Sequence, residues 1–94
     1  MTYYAVELIP VEDRDLTPDL IAKHARHLGE LDGDGKLILA GPFIDDPRGL
    51  LVLNCANAGA AAAILDVDPL VVAGVRTYRV HRWLIANAEN GFTP

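Results

Sequence analysis

From Tyr3 to Ile9 the chain reads Tyr-Tyr-Ala-Val-Glu-Leu-Ile. Aromatic and β-branched residues favour a pleated, half-buried backbone, and Pro10 ends the run, so this stretch predicts a strand. Thr17-Pro18-Asp19 then carries the marks of a helix start: a capping hydroxyl, a proline at the first helical position and an acid in the first turn. The helix is expected to run to about Leu31 and to stop in Asp32-Gly33-Asp34-Gly35, where glycine can take the left-handed conformation that closes a helix. A second strand is predicted over Lys36–Ala40, broken by Gly41-Pro42. The turn-rich loop Ile44-Asp45-Asp46-Pro47-Arg48-Gly49 follows, then a third strand over Leu50–Cys55. Asn57 can cap a helix through the alanine run to about Val67, and Asp68-Pro69 starts a short further turn that Gly74 ends. Val75–Leu84 reads as the last strand, and Ala86–Pro94 as a polar, loose tail.

The resulting order, βαββαβ, is the ferredoxin-like arrangement: an α+β fold with a four-stranded antiparallel sheet. Residues 1–94 are expected to form one domain, with a core over about 3–84 and a tail over 85–94. In Leu37-Ile38-Leu39-Ala40 and Leu50-Leu51-Val52-Leu53 both alternating sets of side chains are apolar. An antiparallel sheet covered on one side should alternate instead, and two helices can cover only one face of four strands. The other face therefore needs a cover, and a second copy of the chain is the economical one, because two-fold dimers are the commonest homo-oligomers. A homodimer is the expectation, against an apolar patch tolerated on a monomer.

Composition narrows the chemistry. The 94 residues carry 8 Lys and Arg against 13 Asp and Glu, a net charge of −5, with the arginines scattered, so no nucleic-acid footprint is expected. Serine is absent, which removes every serine-nucleophile mechanism. Cys55 stands alone, so no intrachain disulfide can form and a cytoplasmic setting is the default. No basic segment precedes an apolar stretch, so no leader peptide is expected, and no apolar run approaches the roughly 18–20 residues of a membrane helix.

On a helical wheel Leu20, Ile21, Leu28 and Leu31 form an apolar sector, with Lys23, Arg26 and Glu30 opposite. His24 falls near the middle of that sector and His27 on its edge. A histidine turned toward the sheet is partly desolvated, which favours the neutral imidazole a general base requires. The alternative is a core histidine satisfied by a backbone carbonyl. Asp68, expected to cap the short helix, would be a fixed anion that can also accept from an imidazole N–H and set its tautomer; a plain cap is the competing reading.

Other signals are weaker. His24 and His27 with His81 or Cys55 lack the carboxylate that would complete a metal pattern, and the Asp-Gly-Asp-Gly run has glycine at Gly41 where a calcium loop needs an acid. Nothing resembles a dinucleotide or phosphate loop. Cys55 reads as core filler, and Arg76, Arg79 and Arg82 as rim charges that do not all share a strand face.

His24 with its leucine-bearing helix, then Gly35-Lys36-Leu37-Ile38-Leu39-Ala40-Gly41-Pro42, and later Asp68-Pro69-Leu70-Val71-Val72-Ala73-Gly74-Val75, resemble the YCII-related (YciI-like) family. The likeness runs from about Tyr3 to Trp83. It includes the spacing of eleven residues from the helix histidine to the first glycine of the second segment, which His24 keeps and His27 does not. The resemblance implies a ferredoxin-like subunit of a dimeric α+β barrel, similar in fold to muconolactone isomerases. It also implies a His–Asp dyad, here His24 and Asp68, beside a pocket bounded by Ala40, Gly41 and Pro42 and lined by Leu70, where the family more often has an aromatic. His24-Ala25 stands where His-Leu is common. Family members with an activity suggest proton transfer on small ring compounds, including dehydrochlorination. The expectation is thus a lyase or isomerase that needs no cofactor or metal, acting on a small molecule. The alternatives are a non-catalytic dimer that binds a small metabolite or serves as an interaction module, and, third, a metal-dependent enzyme using His24 and His27.

Overall fold

All 94 residues are described by a computed structural model. The first predicted strand forms as β1, Tyr3–Pro10, and alternate residues Tyr4, Val6 and Leu8 are buried. α1 follows over Pro18–Gly33, its start capped by the Thr17 hydroxyl, which accepts from the Leu20 N–H at 3.2 Å. It ends in the Asp34-Gly35 turn, where the Lys36 N–H returns to the Leu31 carbonyl at 2.9 Å. β2 (Leu37–Pro42) and β3 (Gly49–Asn54) form a hairpin, then α2 (Ala58–Asp66), capped by Asn57, α3 (Pro69–Val72) and β4 (Arg76–Trp83). The sheet order is β2-β3-β1-β4 with every neighbouring pair antiparallel, the ferredoxin-like arrangement.

Most element ends fall within two residues of the sequence reading, and two features differ from it in kind. Gly41-Pro42 does not break β2: Gly41 pairs with Leu50 and Pro42 with Gly49. β2 is an edge strand, so a proline at its end removes no ladder hydrogen bond that a neighbour needs. The strands come close here: a Cβ on Gly49 would lie 3.3 Å from the Gly41 carbonyl oxygen, so a side chain there would require the facing strand to give by a few tenths of an ångström. The tail also has local order: a 3-10 turn over Ala88–Asn90, in which Asn87 and Asn90 cap each other's backbone N–H groups. Two short amide side chains suffice for this turn without any packing against the core.

α1 and α2 cover one face of the sheet. There Tyr4, Val6, Leu8, Leu51, Leu53, Ala61 and Leu65 form the core. The face turned away from the helices carries Leu39, 68% exposed, and Trp83, 43% exposed. Glu7 also lies on that open face, where it accepts from Arg48 at 3.0 Å and bonds His81 at 2.7 Å. No helix is long and apolar enough to cross a membrane.

Candidate functional site

Asp68 is the N-cap of α3. Its Oδ1 accepts from the Leu70 N–H at 2.9 Å, and its carbonyl accepts from Val71 and Val72. Pro69 at the first helical position supplies the fixed φ, and Gly74, at φ +74°, turns the chain out of α3 and into β4. This short loop-helix packs on α1 and is closed by the Val75 N–H returning to the Leu70 carbonyl at 3.1 Å. The carboxylate is thereby carried to the helix-covered side of the sheet, and Asp68 is fully buried.

There it meets His24. The imidazole Nδ1 lies 2.8 Å from Asp68 Oδ2 and 3.0 Å from Oδ1, and the histidine side chain is 17% exposed. A carboxylate only accepts, so the shared proton belongs on Nδ1 and the lone pair of the neutral ring is left on Nε2, which has no protein partner. A half-buried imidazole held in one tautomer by a buried anion can accept a proton at Nε2 while the anion stabilises the imidazolium that results. His27, one turn along, is the histidine satisfied by a backbone carbonyl: its Nε2 donates to Ile64 O at 3.1 Å.

His24 opens on a cavity of about 270 Å³ between α1, the β2–β3 end of the sheet and the α3–β4 turn. Ala40, Gly41, Pro42 and Leu70 all line it, with Leu8, Leu28 and Leu51 as apolar wall. Two arginines that the sequence reading did not place there also reach it, Arg48 from the loop before β3 and Arg76 from the start of β4. Their signal was weak because a strand's alternation tells which residues share a face, not what lies over that face. Ile21, on the apolar sector of α1, is half exposed because it faces this opening.

The remaining candidates fall elsewhere. His81 is held by Glu7 on the opposite face of the sheet, so the three histidines do not converge, and no cluster of three ligating side chains occurs. Cys55 packs at the margin of the core, where desolvation pushes its thiol pKa up and keeps it protonated. A larger, more open concavity of about 570 Å³ lies between the chain ends, lined by Tyr3, Trp83, Asn90 and others, and its charged side chains are Arg82 and Glu89. It contains no residue pair with acid–base geometry.

Comparison with known proteins fits this fold. "Uncharacterized protein YjpA" of Bacillus subtilis (strain 168) is 26% identical over 80 residues, covering 85% of this chain and 94% of that one. Among solved structures, 5-chloro-2-hydroxyhydroquinone dehydrochlorinase (TftG) of Burkholderia phenoliruptrix AC1100, in complex with 2,5-dihydroxybenzoquinone, superposes with a TM-score of 0.64 at 18% identity, over 87% of this chain and 93% of that chain. A structural-genomics protein, YJCS, superposes with a TM-score of 0.53 at 13% identity, over 90% of this chain and 99% of the other. The YCII-related domain matches residues 2–84, which hold all four strands and the helices α1 to α3, and the chain belongs to that family.

Proposed function

We propose that this protein catalyses proton transfer on a small ring compound, a lyase or isomerase reaction in which His24 is the base and then the acid and Asp68 orients it. The observation that carries this reading is the 2.8 Å contact between a fully buried carboxylate and a half-buried imidazole whose other nitrogen is free, at the wall of a cavity with apolar sides. In such a reaction Nε2 takes a proton from the substrate. The electron pair released either expels a leaving group, as chloride leaves in a dehydrochlorination, or accepts the same proton back at another carbon, giving an isomer. Both need one group that alternates between imidazole and imidazolium, which the dyad supplies from side chains alone. The dehydrochlorinase among the structural neighbours supports the choice of reaction class.

The test is turnover of 5-chloro-2-hydroxyhydroquinone and related ring compounds, followed by chloride release and by change in ring absorbance. His24→Ala is expected to lower turnover by about 10²–10⁴-fold with the fold retained, the usual worth of a positioned acid–base group. Equal turnover by wild type and His24→Ala overturns the dyad. Saturable binding of these compounds with no turnover by the wild type points instead to a dimer that only binds its metabolite.

The same reading includes a homodimer, formed by two copies laying their open sheet faces together, and a reducing, cytoplasmic setting consistent with the lone Cys55. The half-exposed Trp83 and largely exposed Leu39 on the face that no helix covers support the dimer.

A further inference from the structure

The cavity beside His24 has an uneven charge balance. Its wall holds three groups that can carry positive charge, His24, Arg48 and Arg76, and no carboxylate. Asp68 stands behind His24, with no exposed surface and its oxygens already committed to the imidazole and the Leu70 N–H. Arg48 is neutralised: Nε and Nη2 donate to the two oxygens of Asp46 at 2.9 Å, and Nη1 donates to Glu7 at 3.0 Å. Arg76 is not. Its Nη1 donates to the carbonyl of Val75 at 2.8 Å, and no carboxylate lies within ion-pair distance.

A partly buried guanidinium without an anion is costly to desolvate further, and its planar fork matches a carboxylate or a similarly delocalised oxyanion. The chain as a whole has a net charge of −5, so its surface field disfavours anions, and a cavity whose one unpaired charged group is the Arg76 guanidinium is a local exception to that field. At about 270 Å³ the space lies just below the usual range for drug-sized ligands, which limits the occupant to about one ring. Resting on the His24 cavity being the ligand site, we infer that its ligand is a single-ring organic anion, with the charged oxygen on Arg76 and the ring against Leu28, Leu51 and Leu70. Arg76 is then the residue that selects acidic ring compounds over neutral ones of the same shape.

Benzoate and benzamide, which share a ring and differ in charge, test this by NMR titration of amide shifts. Wild type is expected to bind benzoate at least about tenfold more tightly than benzamide, the scale of a charge-assisted pair against a neutral one, with shifts at Gly41 and Leu70. Arg76→Gln should remove that preference, weakening benzoate by at least about tenfold and benzamide much less, and a retained, dispersed amide spectrum reports that the variant is folded. Arg76→Lys should retain part of the preference, because lysine offers the charge without the fork. Equal binding of the two compounds by wild type, a preference that survives Arg76→Gln, shifts confined to other parts of the surface, or no binding of benzoate at all would each overturn the assignment. These readouts involve no turnover. A failed preference leaves the His24→Ala result standing, and an inactive dyad leaves the binding result standing.

Discussion

Asp68 performs two tasks because a carboxylate has two oxygens: one side caps α3 through the Leu70 N–H, and the other holds the His24 Nδ1 proton. The two tasks separate under substitution. Asp68→Asn keeps an oxygen for the cap but removes the anion that stabilises the imidazolium, and it can turn an N–H toward Nδ1, which moves the ring proton to Nε2. Turnover is expected to fall by about 10²–10⁴-fold, as for His24→Ala, with a loss of stability of about 1 kcal/mol. Asp68→Ala removes the cap and leaves a partly buried N–H without an acceptor, so it should cost about 2–4 kcal/mol. Urea midpoints and turnover measured on both variants check the separation; equal stability for the two would mean that the cap contributes nothing.

At the scale of elements, the loop between β2 and β3 is where short-range chemistry holds a cavity wall in place. Arg48 clamps Asp46 within the loop and Glu7 on β1, and so ties the loop to the sheet. Hydrogen bonds from the Arg48 side chain and backbone hold the Asp46 carboxyl down at about 2, against an ordinary value of 3.8. The Glu7 carboxyl is also lowered from its ordinary 4.5, first by the His81 hydrogen bond and then by Arg48. Both folded values are depressed, so the contribution of these pairs is complete above the ordinary carboxylate range and is lost as pH falls through the folded values. The amide shifts of Phe43–Gly49 should therefore stay constant down to about pH 4 and move together as the pH approaches about 2. A loop that moves between pH 7 and 5 would contradict the clamp. Both acids are solvent-accessible, so high salt should weaken the effect.

At the scale of the whole molecule, the sheet has one face sealed by α1 and α2 and one bare. The bare face mixes apolar groups, Leu39 and Trp83, with the Glu7–His81 pair, whose charge is satisfied within the chain. Arg79, opposite Glu7 on β4, shares that face and has no ion-pair partner, so a cover must leave it at the rim or supply an acid to it. Light scattering at micromolar concentration should report twice the 10.1 kDa chain mass, and Leu39→Asp, which puts a lone charge on the face to be covered, should shift the population to monomer. A wild-type monomer at that concentration would contradict the paired assembly.

Local rules carried much of this protein into view before any coordinates. The alternation in Tyr3–Ile9, the Thr17-Pro18 and Asp68-Pro69 helix starts and the turn at Asp34-Gly35 depend on a few neighbouring residues, and they form where the sequence predicts them. The wheel position of His24 and the cap position of Asp68 were also readable, because each follows from the periodicity of one short segment. What local rules miss is decided between segments. The continuation of β2 through Gly41-Pro42 depends on the partner strand coming close at Gly49. The placing of His24 against Asp68, 44 positions apart, depends on α1 and α3 packing on the same side of the sheet. Arg76 reads as one rim charge of three until the α3–β4 turn sets it in the wall beside His24, while Arg48 is drawn to Asp46 and Glu7. Backbone preference and side-chain periodicity act over a few residues and are written in the chain; which charges find partners, and which one is left facing a cavity, is settled only when distant segments compete for the same space.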